Sequence, residues 1–241
     1  MIEKIYFFIL IYFLLGGVGF YFINRKKEKD IARESYIKFA VYFVIINIIF
    51  FGIVVDPLVF RILSGLIIVA GIKEMSVLVI GKPELKKFFL ISLFLYLIFS
   101  FGFYKFSELP KGLILFAFIV IAIFDSFSQI SGQLFGKTKI FPKISPNKTI
   151  EGTIGGGIFA LASVLWLYKL YTASIVDGML MALGVIFFAF AGDILASFYK
   201  RKFDTKDFNK IIPGHGGFLD RFDSLIAGGA WAAFYVNIQN I

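Results

Sequence analysis

The sequence predicts an all-α, polytopic integral membrane protein with about eight transmembrane helices. Hydrophobic residues make up 59% of the 241-residue chain and the mean hydropathy is +0.86, which is too high for a soluble core of this size. The apolar residues also form long uninterrupted runs, whereas strands of a membrane barrel are about 10 residues long and alternate in polarity. We therefore expect a single membrane domain over residues 1–241.

Eight stretches approach the roughly 20 apolar residues that a spanning helix needs. They are 5–23, 36–55, 58–81, 88–104, 112–136, 153–172, 178–199 and 224–241. The first is interpreted as a retained transmembrane helix and not a signal peptide, because its positive cluster follows the apolar run. The N-terminal helices, about 5–104, are distinguished from a second half, about 112–241, that holds the candidate catalytic residues.

The loops predict an orientation in the membrane. Lysine and arginine concentrate in every second loop, namely 24–35, 82–87, 137–152 and 200–223. The positive-inside rule places these loops in the cytoplasm and both termini outside, as expected for a multi-pass protein of the inner (cytoplasmic) membrane. The net charge of +9 is then explained by loops at a membrane face, so no nucleic-acid partner is expected. The absence of cysteine excludes disulfides and thiolate metal sites.

The most polar stretch of the chain is 197–224, which contains four aspartates, several basic residues and the only histidine, His215. Asp220 and Asp223 lie three residues apart with Arg221 between them, so at a helix start both carboxylates would face one way. Hard oxygen ligands of this kind suit Mg²⁺. Zinc is not expected, because the chain has one histidine and no cysteine.

Asp193 extends this polar stretch into the membrane. Ser197 lies four residues further on, and Lys200 continues the same helical face, so a carboxylate, a hydroxyl and a cation line one stripe. Asp125 is a second carboxylate at membrane depth, where ionisable groups are usually functional or paired.

The loop 137–152 supplies a second set of candidate residues. Ser145-Pro146 is expected to start a turn, and Thr149 precedes an apolar run whose helix its hydroxyl could cap. A helix N-terminus with a nearby lysine, here Lys148, suits phosphate. Without reference to any family, these residues indicate a membrane enzyme with a magnesium-carboxylate and lysine/arginine site at the cytoplasmic face, acting on phosphate groups.

Several pairings remain open at this level. Asp193 could form an internal salt bridge with Lys200 or Lys73, and Lys73 and Glu74 could either pair near the helix end or belong to the site. A Ser–His–Asp hydrolase would use Ser197, His215 and Asp223. The serine lacks a nucleophile-elbow context, however, and the basic surroundings favour a polyanionic substrate.

Five blocks in the second half carry a family resemblance. They read Gly192-Asp193, Ser197-x-x-Lys200-Arg201, Lys206-Asp207, Pro213-Gly-His-Gly-Gly217 and Asp220-Arg221-x-Asp223-Ser224. An earlier block, Ser145-Pro146-Asn147-Lys148-Thr149-x-Glu151-Gly152, is similar to a second motif of the same family. Residues 120–224 thereby resemble the phosphatidate cytidylyltransferases, also called CDP-diacylglycerol synthases, whereas the N-terminal helices match only in hydropathy.

The resemblance implies transfer of the cytidylyl group of CTP to phosphatidate, giving CDP-diacylglycerol and pyrophosphate in phospholipid biosynthesis. It also implies Mg²⁺, a monovalent K⁺ partner and a homodimer in the lipid bilayer. Asp193 and Asp220 would be metal ligands with Asp223 close by. Phosphates would be held by Ser197, Lys200, Arg221 and Lys148. Further ligand-binding residues would be Ser145, Thr149, Lys206 and His215, the last in a positioning role.

Three positions depart from the family pattern. Ala196 stands where the family usually has glutamate, Asn147 replaces a lysine, and Gln133 replaces a common basic residue. Two other functions are therefore kept as alternatives. The chain could transfer cytidylyl groups to another lipid phosphate, such as an ether lipid or a polyprenyl phosphate. It could also be a non-catalytic scaffold or transport protein whose charged loop binds lipid headgroups.

Overall fold

The computed structural model describes residues 2–25, 28–170, 174–212 and 216–239, and these residues form eight long α-helices and one small β-hairpin. The helices are α1 (Ile2–Asn24), α2 (Lys29–Val55), α3 (Pro57–Ile80), α4 (Lys86–Phe106), α5 (Lys111–Phe135), α6 (Ile150–Leu167), α7 (Ile175–Lys202) and α8 (Leu219–Gln239). Short 3₁₀ turns, Pro83–Leu85 and Tyr168–Leu170, precede α4 and follow α6. The hairpin strands are β1 (Lys139–Phe141) and β2 (Ser145–Thr149).

The predicted all-α membrane architecture is confirmed, since each of the eight predicted segments forms a helix. Within the described ranges, six helical segments are long and apolar enough to cross a membrane: Lys29–Val55, Pro57–Ile80, Pro83–Phe106, Lys111–Phe135, Ile150–Leu170 and Ile175–Lys202. The chain is therefore a multi-pass membrane protein. Membrane crossing by α1 and α8 stays a prediction.

The expected turn at Ser145-Pro146 is wrong. These residues begin β2, which pairs antiparallel with β1 through Phe141 opposite Ser145 and Lys139 opposite Thr149. The chain reverses earlier, where Ile144 N donates to Phe141 O at 3.1 Å, and Pro142 supplies the restricted φ that turns favour. Pro146 is tolerated in β2 because a two-stranded hairpin consists only of edge strands.

In α3, α6 and α7 the residue directly before the helix caps it with a polar side chain, at the point where an apolar run begins. The Asp56 carboxylate accepts a hydrogen bond from Leu58 N at 2.8 Å, with Pro57 as the first residue of α3. The predicted cap by Thr149 is confirmed, because its hydroxyl accepts from Gly152 N at 3.1 Å. Ser174 caps α7 through Asp177 N at 3.1 Å. Each cap satisfies an N–H group that the first helical turn leaves without a partner.

Helix α5 forms the centre of the bundle. Its residues 113–121 are all buried, as expected for a helix that is apolar on every side. Helix α6 lies directly against it, because a Cβ added at Gly156 would come within 2.0 Å of Ser128 Oγ and 2.6 Å of Phe124 O. Glycine here allows the close approach of the two backbones.

Three of the predicted basic loops meet at one end of the bundle. Lys82, after α3, forms an ion pair with Asp204, after α7. Arg201 Nε donates to Ile144 O in the hairpin turn at 3.1 Å. Four helices, α4 to α7, separate Lys82 from Asp204, and two helices, α6 and α7, separate the hairpin from the end of α7. Because an even number of antiparallel helices brings the chain back to the side from which it started, these loops lie at the same end of the bundle. The fourth basic loop, 24–35, includes positions 26 and 27, which lie outside the described residues.

Candidate active site

Asp193 pairs with a cation that the sequence places far away. Lys148 Nζ, on β2, lies 2.5 Å from Asp193 Oδ2, and its ammonium also lies 4.7 Å from the centre of the Phe190 ring. The alternative pairing of Asp193 with Lys73 or Lys200 is not observed, since Lys73 is exposed and Lys200 pairs elsewhere. The hairpin thus brings Lys148 of the second family motif to α7.

The predicted polar stripe on α7 is present. Ser197 is buried and its hydroxyl donates to Asp193 Oδ1 at 3.3 Å, one helical turn away. Asp193 lies seven residues before Lys200, hence about 10 Å along the helix axis from it. The carboxylate is therefore shallow with respect to the polar end of the bundle.

Asp220 and Lys200 form a buried ion pair that anchors the chain before α8. Lys200 Nζ lies 2.6 Å from Asp220 Oδ1, and the two side chains are only 10% and 2% exposed. Asp220 Oδ2 accepts hydrogen bonds from Phe208 N and Gly217 N, both at 2.8 Å. Both oxygens of Asp220 are thus already used, in pairing with Lys200 of α7 and in binding the backbone amides of Phe208 and Gly217.

The glycines before α8 have a structural cause. Gly216 has φ +83°, in the left-handed region that favours glycine, and its carbonyl oxygen accepts a hydrogen bond from Ile212 N at 2.8 Å. A Cβ at Gly216 would lie 2.7 Å from Asp220 Oδ2. Position 215, the predicted positioning histidine His215, lies outside the described residues.

Glu74 contributes a contact that sequence reasoning left open. This carboxylate on α3 is 3% exposed and accepts hydrogen bonds from Phe218 N at 2.9 Å and Leu219 N at 2.8 Å. It therefore caps the N-terminus of α8 from another helix. The only sequence signal was an ionisable residue at membrane depth.

Asp223 and Asp125 each interact electrostatically with Asp193. Asp223 is half-buried on the first turns of α8 and lies within electrostatic range of Asp193. Asp125, on α5, lies within electrostatic range of Lys148 and Asp193. The sequence marked Asp125 as a carboxylate at membrane depth but gave it no role. Gly192 allows this convergence, since a Cβ there would lie 2.7 Å from Asp223 O.

The remaining predicted residues surround this cluster. Arg221 is exposed next to Asp220 and lies within electrostatic range of both Asp125 and Asp223. Ser145 begins β2 and Thr149 caps α6, so both shape the hairpin that carries Lys148. Lys206 is exposed in the 203–218 connection. The structure therefore pairs Lys148 directly with Asp193, with Asp223 within electrostatic range of Asp193 and Arg221 within range of Asp223.

An apolar groove opens beside the polar cluster. It has a volume of about 240 Å³ and lies between α4, α7 and α8. Its walls are mainly aliphatic and aromatic, but Gly192, Ala196 and Asp223 also line it. Ala196, one of the departures from the family pattern, therefore adds apolar surface to the groove. The other two departures, Asn147 and Gln133, are exposed.

This arrangement defines a multi-pass membrane protein whose acidic and basic side chains converge at one end of the helix bundle. The chain belongs to the cytidylyltransferase family, whose sequence model matches residues 85–239. This range includes α4 to α8 and every residue of the cluster except those contributed by α3.

Curated relatives carry a more specific name. The chain is 42% identical over 127 residues to the phosphatidate cytidylyltransferase of Staphylococcus saprophyticus, a match that covers 51% of this chain and 49% of the relative. It is 44% identical over 127 residues to that of Staphylococcus haemolyticus, with the same coverage of 51% and 49%. For the Staphylococcus aureus (strain COL) protein the identity is 42% over 132 residues, covering 52% and 50%. The chain thus spans about half the length of the curated relatives it matches.

Proposed function

We propose that this protein transfers the cytidylyl group of CTP to phosphatidate, releasing pyrophosphate and forming CDP-diacylglycerol. The observation that carries the proposal is the convergence of Asp193, Asp223, Lys148 and Arg221 beside an apolar groove, within the residues that match the family. The polar cluster suits two phosphate-bearing reactants, and the groove suits the apolar part of a lipid. The relatives named phosphatidate cytidylyltransferase support the choice of lipid and nucleotide.

In the proposed reaction a phosphatidate oxygen bonds to the α-phosphorus of CTP, and the bond from that phosphorus to the β-phosphate bridging oxygen breaks. A phosphate monoester is largely dianionic at neutral pH, because its second pKa is about 6, so the attacking oxygen needs little help from a base. The main barrier is repulsion between two polyanions. We propose that Lys148 and Arg221 reduce it, because Arg221 is exposed and Lys148, although it pairs with Asp193, is more exposed than Lys200 in its pair with Asp220.

Mg²⁺ needs only one or two protein carboxylates when substrate phosphates and waters complete its coordination. Asp193 and Asp223 interact electrostatically and supply such a pair, whereas no group of three or more acidic or histidine side chains that could hold a metal occurs among the described residues. We propose that Asp193 and Asp223 hold Mg²⁺, which when bound would neutralise phosphate charge and polarise the reacting phosphoryl group. Asp220 as a ligand stays a prediction. Both Asp220 and Asp193 pair with a lysine, but the side chains of Asp220 and Lys200 are 2% and 10% exposed, whereas those of Asp193 and Lys148 are 29% and 21% exposed, so a metal ion would reach Asp193 more readily. The K⁺ partner and the homodimer also stay predictions.

We also propose that the polar end faces the cytoplasm, where CTP is available. The support is the meeting of the basic loops 82–87, 137–152 and 200–223 at one end of the bundle, combined with the positive-inside rule. A lipid would enter sideways from the bilayer through the groove, with its headgroup near Asp193 and Asp223. A reporter fused in the hairpin turn at Lys143 should be accessible only from the cytoplasmic side.

The test uses purified protein in lipid vesicles with labelled CTP, Mg²⁺ and phosphatidate, followed by extraction of the labelled lipid. We expect labelled CDP-diacylglycerol. Lys148→Met should lower kcat/KM about 100-fold, as loss of one charge-stabilising group typically does. Lys143→Met is the matched control, because Lys143 is an exposed lysine of the same hairpin, and it should keep wild-type activity.

Other outcomes would separate the alternatives. Product formed only with an ether lipid phosphate or a polyprenyl phosphate would replace phosphatidate as the substrate. Folded protein that makes no lipid product with any of the three would overturn the enzymatic proposal and favour a headgroup-binding scaffold or transport protein.

A further inference from the structure

Glu74 joins two parts of the chain that are distant in sequence. Its two carboxylate oxygens bind separate amides, Oε1 accepting from Phe218 N and Oε2 from Leu219 N, 144 and 145 residues away. These amides lie at the beginning of α8, whose first turn has N–H groups without helical partners. A charged acceptor there forms short, strong hydrogen bonds and interacts favourably with the helix dipole.

Position 217 has no room for a side chain beside the Glu74 carboxylate. A Cβ at position 217 would lie 2.4 Å from Glu74 Oε1 and 2.7 Å from both Oε2 and Cδ. The carboxylate is held by two hydrogen bonds, so it cannot move aside without losing them. The second glycine of the Gly216-Gly217 pair is therefore explained by Glu74, whereas Gly216 is explained by its positive φ and by Asp220.

Glu74 and Asp220 together hold the chain where it enters α8. Asp220 accepts from Gly217 N and Phe208 N, and Glu74 accepts from the next two amides. Their common counter-charge is the buried Lys200, which pairs with Asp220 and also lies within electrostatic range of Glu74. Two carboxylates from α3 and α8 thus share one lysine from α7.

The end of α3 also contacts α7 and the segment after it at two further points. Tyr199 Oη donates to Met75 O at 2.9 Å, and Lys82 forms an ion pair with Asp204. The end of α3 and the residues just after it therefore contact α7, the segment after α7 and the start of α8 through Glu74, Met75 and Lys82. All three precede residue 85, where the match to the family begins.

We infer that Glu74 is a positioning residue for the proposed cytidylyl transfer. By binding Phe218 N and Leu219 N it sets the register and direction of the first turn of α8. That turn carries Arg221 and Asp223, which must face Asp193 on α7. Glu74 acts by positioning this turn and does not contact the substrate. The expected effect of Glu74 variants on kcat rests on the proposed function.

The test compares Glu74→Gln and Glu74→Ala with a matched control. Glu84→Gln removes the charge of an exposed carboxylate ten residues away and should leave activity unchanged. Glu74→Gln should lower kcat about 100-fold, as small misplacement of reacting groups can, while KM for CTP stays within about threefold. Glu74→Asp keeps the charge on a shorter side chain and should restore part of the lost kcat.

Hydrogen exchange gives a readout that does not require activity. In Glu74→Ala the amides of Phe218 and Leu219 should exchange at least about 10-fold faster, because they lose their acceptor. The Phe208 amide, held by Asp220, should keep its protection. Melting temperature and elution profile in detergent identify any variant that fails to fold, and Glu74→Gln, which is nearly isosteric, is then the informative one.

Each contrary result has a distinct meaning. Unchanged exchange of the Phe218 and Leu219 amides in folded Glu74→Ala would refute the cap and the inference with it. Faster exchange with unchanged kcat would leave Glu74 a purely structural residue and overturn its positioning role. A wild-type protein that makes no lipid product would overturn the proposed function and the kinetic part of the inference, while exchange would still decide the cap.

Discussion

The Lys200–Asp220 ion pair allows a quantitative test through a double-mutant cycle of Lys200→Met, Asp220→Asn and the combination. The pair is short, at 2.6 Å, and its side chains are 10% and 2% exposed, so solvent screens it little. Removing one partner of a buried pair typically costs about 3–5 kcal/mol, because the other charge is left uncompensated.

The surroundings predict an order for the two single variants. In Lys200→Met the Asp220 carboxylate keeps two backbone donors, Phe208 N and Gly217 N, so we expect a cost near about 3 kcal/mol. Asp220→Asn weakens both of those bonds and leaves the lysine without its partner, so a cost near about 5 kcal/mol is expected. The double variant removes both charges of the pair, and the buried Glu74, which loses Lys200 as a counter-charge, keeps its two backbone donors. It should be less destabilised than the sum of the singles by at least about 2 kcal/mol.

The assay is equilibrium unfolding by SDS in mixed micelles, followed by the fluorescence of the chain's two tryptophans, Trp166 and Trp231. Trp231 lies on α8 and stacks on Phe188 of α7 with ring centroids 5.0 Å apart, so it reports on the contact between these helices. A coupling energy under about 0.5 kcal/mol, with both single variants within about 1 kcal/mol of wild type, would show that the pair is not buried as described.

Two further predictions concern other contacts near the site. Gly192→Ala places a Cβ 2.7 Å from Ala227 Cβ and from Asp223 O, so it should force α7 and α8 apart and cost about 1–3 kcal/mol in the same unfolding assay. Gly157→Ala, where nothing lies within 4 Å of the added Cβ, is the control, and equal effects of the two would contradict the close-packing argument. The hydrogen bond and charge of Lys82 hold the pKa of the exposed Asp204 carboxyl below its usual value, so the stabilising pair is complete at neutral pH and is lost as pH falls through that lowered pKa. Lys82→Gln should raise the pKa of Asp204 towards its usual value in a carbon-13 NMR titration, and an unchanged titration would show that the pair does not form in solution.

The positions of the helices could be predicted because the bilayer restricts the choices. A chain without water to hydrogen-bond its backbone must form helices, and each must contain about 20 apolar residues to span the membrane. The main boundary difference is α2, which begins at Lys29 where hydropathy suggested 36, because a helix can continue into water beyond the apolar run. Thr149 as the cap of α6 was predictable for a similar reason, since its signal lies within three residues.

The different contacts of Asp220 and Asp223 could not be predicted from local sequence patterns. Asp220 and Asp223 lie three residues apart and look equivalent in sequence. In the structure, however, Asp220 binds Lys200 and two backbone amides, whereas Asp223 lines the apolar groove. This difference between the two aspartates depends on where the backbone amides of Phe208 and Gly217 lie relative to α7. Short-range pattern contains no information about these positions.

By itself, the sequence determined that this is a helical membrane protein with a charged site in its second half, because hydropathy, charge and local motifs act over a few residues. Which charged side chains pair with one another depends on the tertiary structure. Lys148 reaches Asp193 through a hairpin, and Glu74 reaches the start of α8 across 144 residues. Such contacts depend on how helices pack and turn, since a buried charge takes whichever partner the fold brings within hydrogen-bonding distance.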